Sequence, residues 1–241
     1  MNEKMSEKRI GRFTSSQIYK LMAKGRGDKM SAKTLTYVEE VLMERLLGRP
    51  LNHDVSCRAA SWGNALETRA AGMVDLIEWQ YQPSETILHP TCDWWCGTPD
   101  LVSKTAVGDI KCPYTLKSFV QLADICLAAD PNALFAKFPE YYWQLVSNAI
   151  LTGTDEAWLF VYCPYKSELD EIRDSISQLD DMAAQTEYQW IAFSRDDQLP
   201  WIPDDGYYKN FNRFCFSISQ EDIILLSEKV ETVVKELCEK Y

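Results

Sequence analysis

Residues Thr98–Pro113 read TPDLVSKTAVGDIKCP and combine strand-like alternation with an unusual set of charges. In the second half of the stretch, Asp109 and Lys111 project to one face of a strand while Ile110 points to the core. An apolar pair follows Asp100, and a short polar turn separates that pair from the second strand. This pattern predicts a β-hairpin that brings Asp100 beside Asp109 and Lys111.

Two acids and a lysine on one strand face are costly to bring together, because like carboxylates repel each other unless a cation lies between them. A divalent metal ion such as Mg²⁺ binds oxygen ligands of this kind and keeps water molecules for chemistry. Lys111 could orient or deprotonate such a water, or stabilise the charge that develops on a phosphorus centre. The stretch therefore predicts metal-assisted hydrolysis of a phosphodiester.

The composition predicts one globular domain over residues 1–241, because 46% of the side chains are apolar and 12% are aromatic. The sequence contains no run of about 18 apolar residues, so it predicts no membrane span. The N-terminal stretch MNEKMSEKRIGR lacks the apolar centre of a signal peptide. We therefore expect no membrane association and a cytoplasmic location.

The eight cysteines are scattered, which predicts free thiols that mostly fill the core. Cys92 and Cys96 leave open a metal or iron–sulfur site as a minor alternative. With His53 and His89 as the two histidines, a histidine-rich zinc site is not expected.

Charge is distributed unevenly along a chain whose formal net charge is −11. Residues 1–50 hold eleven Lys and Arg against six acids, whereas residues 167–241 hold seventeen acids against seven Lys and Arg. This asymmetry predicts that basic helices within residues 1–50 form part of a DNA-binding face, and that an acidic helix over residues 219–239 faces outward. Chance and a need for solubility explain the asymmetry equally well.

Hydrophobic spacing predicts a mixed sheet flanked by helices, which is an α/β fold. The predicted helices are a short helix capped by Thr14–Gln17, Ser31–Leu47, a helix capped by Ser61 with Met73 and Ile77 on its apolar stripe, Leu116–Ala128, Pro139–Leu151, Ser167–Tyr188 and Ser219–Glu239. The predicted strands outside the hairpin are Thr86–Leu88 and Ala157–Cys163. Gln189–Phe193 fits a helix or a strand, and Arg195–Arg213 is expected to be irregular.

Each candidate residue also has an ordinary interpretation when it is taken alone. Glu67 fits a solvated helix acid, Asp100 a turn residue, and Gln144 a surface amide. Asp109 and Lys111 fit solvated strand positions. Their convergence on one hairpin is what favours a metal site.

In order along the chain, several short motifs resemble those of the PD-(D/E)xK nucleases and, more closely, the phage lambda exonuclease family, also called YqaJ-like viral recombinases. The motifs are Arg9-Ile10-Gly11, Thr14-Ser15-Ser16, Met30-Ser31, Trp62-Gly63-Asn64-Ala65-Leu66-Glu67, Thr98-Pro99-Asp100, Asp109-Ile110-Lys111-Cys112-Pro113 and Tyr141-x-x-Gln144. The similarity runs from about Arg9 to Cys163. It implies a central mixed β-sheet flanked by helices.

The resemblance implies roles for the residues around the hairpin. Asp100, Asp109 and the main-chain carbonyl of Ile110 would bind Mg²⁺, with Mn²⁺ as a possible substitute. Lys111 would act on the attacking water. By the same resemblance, Glu67 would assist a second metal ion or its water, and Gln144 would lie beside the lysine. The second acid is Asp109 where many members carry glutamate, which shortens the reach of that ligand.

The resemblance also implies that Arg9, Ser16 and Thr98 bind the 5′-phosphate of a DNA end. An arginine and two hydroxyl groups suit a phosphate, and a helix start adds a favourable dipole. Thr98 departs from the serine of the family, which leaves the phosphate geometry there less defined.

The function implied is a Mg²⁺-dependent 5′-to-3′ exodeoxyribonuclease that acts on ends of linear double-stranded DNA. It would release 5′-mononucleotides and leave 3′ single-stranded DNA for recombination by a phage-type single-strand annealing protein. The family implies a homotrimer. The alternatives are another PD-(D/E)xK endonuclease of restriction or repair type, a non-catalytic DNA-end binding module and an iron–sulfur nuclease.

Overall fold

The computed structural model describes residues 7–26, 29–51, 57–75 and 78–238. Within these residues the strands are β1 (Phe13–Thr14), β2 (Gln80–Tyr81), β3 (Ile87–Leu88), β4 (Trp95–Gly97), β5 (Leu101–Val102), β6 (Ala106–Lys111), β7 (Glu156–Tyr162) and β8 (Phe211–Ser217). The α-helices are α1 (Ala32–Leu47), α2 (Arg58–Ala71), α3 (Leu116–Ala128), α4 (Pro131–Lys137), α5 (Pro139–Thr152), α6 (Leu169–Ser177), α7 (Met182–Ala192) and α8 (Gln220–Val233).

The larger sheet has five strands in the order β2-β5-β6-β7-β8 and is mixed, as predicted. β5 and β6 form the predicted antiparallel hairpin, with Leu101 opposite Gly108. β6 continues parallel to β7, and β7 pairs with β8 in the antiparallel direction. β6 is therefore the central strand: β7 pairs along its whole length, and β5 pairs with Val107 and Gly108.

Both faces of β6 are buried, because helices cover the sheet on each side. Val107 packs in a core that includes residues of α3 and α5, whereas Ile110 packs in a second core with residues of α2 and α6. Ile110 points into a core, as predicted. The face that carries Asp109 and Lys111 is also covered, by α5.

A second sheet of three strands has the order β1-β4-β3. β1 and β4 are parallel, with Phe13 opposite Trp95 and Thr14 opposite Cys96. Ser147 of α5 ties this sheet to the core, since its hydroxyl contacts Ser15 Oγ at 2.8 Å and accepts a hydrogen bond from Trp95 Nε1 at 2.8 Å. One helix, α5, therefore contacts both sheets.

Local capping signals predicted several helices well. Ser31 caps α1 by accepting a hydrogen bond from the Thr34 amide at 3.0 Å, and the helix ends at Gly48 with φ = 65°. Ser219 likewise caps α8. The predicted end of the last helix, Glu239, lies outside the described residues.

Two predicted helix starts are wrong. Thr14 belongs to β1, so that the expected helix reduces to a 3₁₀ turn over Ile18–Lys20. Ser61 does not cap α2, because the helix begins at Arg58 and Ser61 donates back to the Arg58 carbonyl at 3.3 Å. The same helix ends at Ala71, before Met73; Ile77 lies outside the described residues.

The C-terminal half differs from the prediction in two further places. The single helix expected over Ser167–Tyr188 is divided into α6 and α7, because Asp181 caps a new helix by accepting hydrogen bonds from two backbone amides. α7 runs on to Ala192, so the strand alternative for Gln189–Phe193 is wrong. Strand β8 begins inside the stretch that was expected to be irregular, and its pairing with β7 was not predicted.

Candidate active site

Asp109 lies at the centre of a set of direct contacts on β6. Its side chain is 1% exposed, and its Oδ1 atom accepts a hydrogen bond from Gln144 Nε2 at 2.7 Å. Its Oδ2 atom lies 2.5 Å from Lys111 Nζ, which also donates to Gln144 Oε1 at 3.2 Å. The structure therefore brings Asp109, Lys111 and Gln144 into one closed group of contacts.

Lys111 is held in its charged form by the acids around it. Burial alone would lower the pKa of Lys111, but Asp109 and Asp100 outweigh that effect and raise it. The ammonium group also lies 4.9 Å from the centre of the Tyr141 ring. In this arrangement Lys111 can donate hydrogen bonds and neutralise negative charge, but it is not poised to accept a proton.

Asp100 lies immediately before β5 and is held against β6. Its Oδ2 atom accepts a hydrogen bond from the Ile110 amide at 2.7 Å. Burial raises the pKa of Asp100 well above its usual range, and repulsion from Asp109 and Glu67 raises it further, while Lys111 offsets part of the shift. The hairpin therefore brings Asp100 within electrostatic reach of Asp109, as the sequence predicted.

Glu67 approaches the site from α2, on the other side of the larger sheet. Its Oε1 atom accepts a hydrogen bond from the Tyr81 hydroxyl at 3.1 Å, and Tyr81 also contacts Thr68 Oγ1 at 3.3 Å. Burial and the charge of Glu67 raise the pKa of Tyr81. Tyr81 thus orients Glu67, a contact that sequence reasoning missed because no motif links the two residues.

The donor set fits a hard divalent cation. Asp100 is repelled by both Asp109 and Glu67, and a cation between carboxylates would relieve that repulsion. Among the described residues, no group of three or more His, Cys, Asp or Glu side chains is arranged to hold an ion. Mg²⁺ does not require one, because it is commonly bound through one or two carboxylates with water and phosphate oxygens.

Two of the three predicted phosphate-binding residues, Ser16 and Thr98, follow the ends of neighbouring strands in the smaller sheet. Ser16 and Thr98 each lie two positions past the last paired residues of the parallel strands β1 and β4, so both leave the sheet in the same direction. Their hydroxyls contact those of Thr14 at 3.4 Å and Thr86 at 3.1 Å, respectively. We call Arg9, Ser16 and Thr98 the phosphate cradle, after the role that the family resemblance implies for them.

Arg9 ends a 3₁₀ turn that begins at Glu7. Burial raises the pKa of the Cys96 thiol to about 11, and the charges of Arg9 and Arg12 oppose that shift. Arg9 is therefore within electrostatic reach of Cys96 on β4, which lies two residues before Thr98 in sequence.

Cys92 and Cys96 are free thiols, as are Cys57, Cys112, Cys126, Cys163 and Cys215. Cys92 and Cys96 gain no third metal-ligating neighbour among the described residues. Within that part of the chain, no helix has the length and apolarity to cross a membrane.

The fold is a mixed α/β fold with the acidic hairpin at its centre, and the solved structures that share it are exonucleases. Its solved neighbours include LHK-Exo, an alkaline exonuclease from Laribacter hongkongensis, whose structure in complex with dAMP has a TM-score of 0.62 at 19% identity and covers 97% of this chain and 91% of its own. A phage-related exonuclease from Haemophilus somnus 129PT has a TM-score of 0.58 at 15% identity, over 93% of this chain and 92% of its own. No family model and no curated protein matches the sequence. The likeness confirms the predicted fold class.

Proposed function

We propose that this protein is a Mg²⁺-dependent 5′-to-3′ exodeoxyribonuclease that digests linear double-stranded DNA from its ends. It releases 5′-mononucleotides and leaves a 3′ single strand. The observation that carries the proposal is the contact set of Asp109, Lys111 and Gln144 beside Asp100, on the central strand of a fold shared with exonucleases.

Asp100 and Asp109 would hold the metal ion, with the Ile110 carbonyl and Glu67 as the further candidate ligands. When bound, Mg²⁺ supplies a water of lowered pKa and neutralises charge on the phosphodiester. The Lys111 ammonium donates hydrogen bonds to the phosphoryl oxygens as their charge grows. Mn²⁺ is the expected substitute.

Gln144 fixes the working geometry of the two charged groups on β6. Its amide nitrogen holds Oδ1 of Asp109, and its amide oxygen accepts from Lys111. Both ends of one side chain are therefore used, which sets the carboxylate and the ammonium at a defined separation. A residue in this position acts through its neighbours rather than on the DNA itself.

The phosphate cradle gives the reaction its direction. Arg9 supplies charge, while Ser16 and Thr98 supply hydroxyl donors for a terminal 5′-phosphate. The dAMP bound to LHK-Exo is a deoxynucleoside monophosphate, the class of product expected here. The proposals of a homotrimer, a single-strand annealing partner and a phage origin rest on the family resemblance. The proposal of a single domain over residues 1–241 rests on the composition, and we also propose a cytoplasmic location in a bacterial host cell.

Digestion of matched DNA substrates tests the proposal. We expect linear duplexes with 5′-phosphate ends to be degraded with Mg²⁺, 5′-hydroxyl duplexes to be degraded more slowly, and closed circles to remain intact. Asp109→Asn should abolish the activity, whereas Asp170→Asn, on the exposed Arg173–Asp170 pair, should not. Cleavage of the circle would favour the endonuclease alternative. Equal activity of wild type and Asp109→Asn would refute the catalytic assignment and favour a binding module.

A further inference from the structure

Asp93 joins two arginines from different parts of the chain. Its Oδ1 atom lies 2.6 Å from an Nη atom of Arg12, and its Oδ2 atom lies 2.7 Å from an Nη atom of Arg45. Hydrogen bonds from both arginines lower the pKa of Asp93, so it stays ionised at neutral and alkaline pH. We call Arg12, Arg45 and Asp93 the arginine clamp.

The clamp also fixes the backbone that passes over α1. The second Nη atom of Arg45 donates to the Gly11 carbonyl at 3.4 Å, and its guanidinium lies 3.9 Å from the centre of the Trp94 ring. Gly11 has φ = 64°, and a Cβ atom there would lie 2.5 Å from the Cβ atom of Arg45. A side chain at Gly11 would therefore push the N-terminal segment off the helix.

The three clamp residues lie beside both chain segments that lead to the phosphate cradle. Arg12 lies between Arg9 and Ser16 in sequence, and its amide donates to the Arg9 carbonyl at 3.2 Å. Asp93 lies five positions before Thr98. The Arg12–Asp93 contact therefore links the segment that carries Arg9 and Ser16 to the segment that leads to Thr98, in addition to the β1–β4 pairing.

We propose that the arginine clamp positions the phosphate cradle and so determines the preference for a 5′-phosphorylated DNA end. This inference rests on the proposed function. Asp93 is 58% exposed, and exposed ion pairs contribute little to stability. The clamp is therefore expected to affect geometry at the cradle more than global folding. Among the described residues, no contact joins the clamp to Asp100 or Asp109, so the residues that would hold the metal ion should be unaffected.

The test compares Asp93→Asn and Arg45→Met with wild type on two linear duplexes that differ only in a 5′-phosphate or 5′-hydroxyl end. We expect the ratio of kcat/KM for the two substrates to fall about tenfold in both variants, through KM, as when a supporting hydrogen-bond partner is lost. Asp93→Glu keeps the charge and should retain part of the preference. The matched control is Asp197→Asn, which breaks the exposed Arg195–Asp197 pair at 3.0 Å and should leave the ratio unchanged.

Two outcomes would overturn the inference in different ways. If wild type prefers the 5′-phosphate and both clamp variants keep the full preference, or lose activity equally on both substrates, the clamp does not position the cradle. If wild type shows no preference, the cradle assignment itself fails and the clamp inference fails with it. The rise in melting temperature with added Mg²⁺ should be the same in wild type and Asp93→Asn. This measurement reports on metal binding at Asp100 and Asp109 independently of the cradle.

Discussion

Replacing Lys111 with methionine should reveal how much of the stability of the metal-free protein depends on one internal cation. Methionine has a similar length and adapts to irregular packing, so the change removes mainly the charge. Asp109 is 1% exposed, and its Oδ2 atom would lose the ammonium that lies 2.5 Å away. Removing one partner of a buried ion pair costs about 3–5 kcal/mol, because the other charge is left unpaired.

We expect the lower end of that range for Lys111→Met, about 3 kcal/mol, since Gln144 still donates to Oδ1 of Asp109. The assay is urea unfolding in EDTA and again in excess Mg²⁺. In Mg²⁺ the loss should be smaller, because a bound divalent cation neutralises the same carboxylate and binds only the folded state. Nuclease activity should fall by about 10²-fold or more in Mg²⁺, as a charge-stabilising donor is lost.

A matched change is Lys166→Met, which removes a lysine that lies 5.2 Å from the Trp201 ring on the surface. Its unfolding free energy should stay within about 0.5 kcal/mol of wild type in both buffers. The reasoning fails if Lys111→Met loses the same free energy with and without Mg²⁺. That result would mean that no cation replaces the lysine near Asp109.

Three further changes test other parts of the structure. Gly97→Ala should lower the melting temperature and reduce the free energy of unfolding in urea by about 1–3 kcal/mol. The reason is that the added Cβ would lie 2.5 Å from Asn148 Oδ1 in a packed region. An unchanged urea midpoint would contradict this packing. Gln144→Leu should lower kcat about 10–100-fold in steady-state assays, because Asp109 and Lys111 lose their shared partner, and wild-type kcat would exclude that role. Burial alone would raise the pKa of Glu168, but hydrogen bonds from neighbouring groups lower this pKa below its usual value. The ionised Glu168 therefore stabilises the folded state at pH values above the usual pKa, and this stabilisation is lost as the pH falls through the lowered pKa. Urea midpoints from about pH 5 to about pH 3 should therefore fall less steeply for Glu168→Gln than for wild type, and parallel curves would refute the assignment.

The hairpin and the long helices could be predicted from sequence because their signals are local. Alternation along β6 places Asp109 and Lys111 on one face, and serine caps mark the starts of α1 and α8. These signals depend on a few neighbouring residues, so they do not depend on the tertiary packing of the rest of the chain.

The contacts that complete the site depend on tertiary packing and could not be predicted in the same way. Gln144 contacts Asp109 because α5 packs over β6 at the position of Asp109. Tyr81 contacts Glu67 because β2, which carries Tyr81, pairs with β5 at the edge of the larger sheet. The resemblance to a family indicated Gln144, but nothing in the sequence indicated Tyr81. The wrong start of α2 has a similar cause: Ser61 is a good cap in isolation, yet the helix extends one turn earlier, to Arg58.

Helix α5 links the two chemical regions of the protein. Gln144 contacts Asp109, and Ser147 and Asn148 on the next turn lie against Ser15 and Gly97, where the chain turns toward the cradle. Four residues of an α-helix span ~6 Å, and its hydrogen-bonded backbone does not stretch. With the roles proposed above, helix α5 would fix the distance between the bound 5′ end of the DNA and the phosphodiester that is cut. The enzyme would then cut at a fixed distance from the bound 5′ end, and its product would have the same length whatever the DNA sequence.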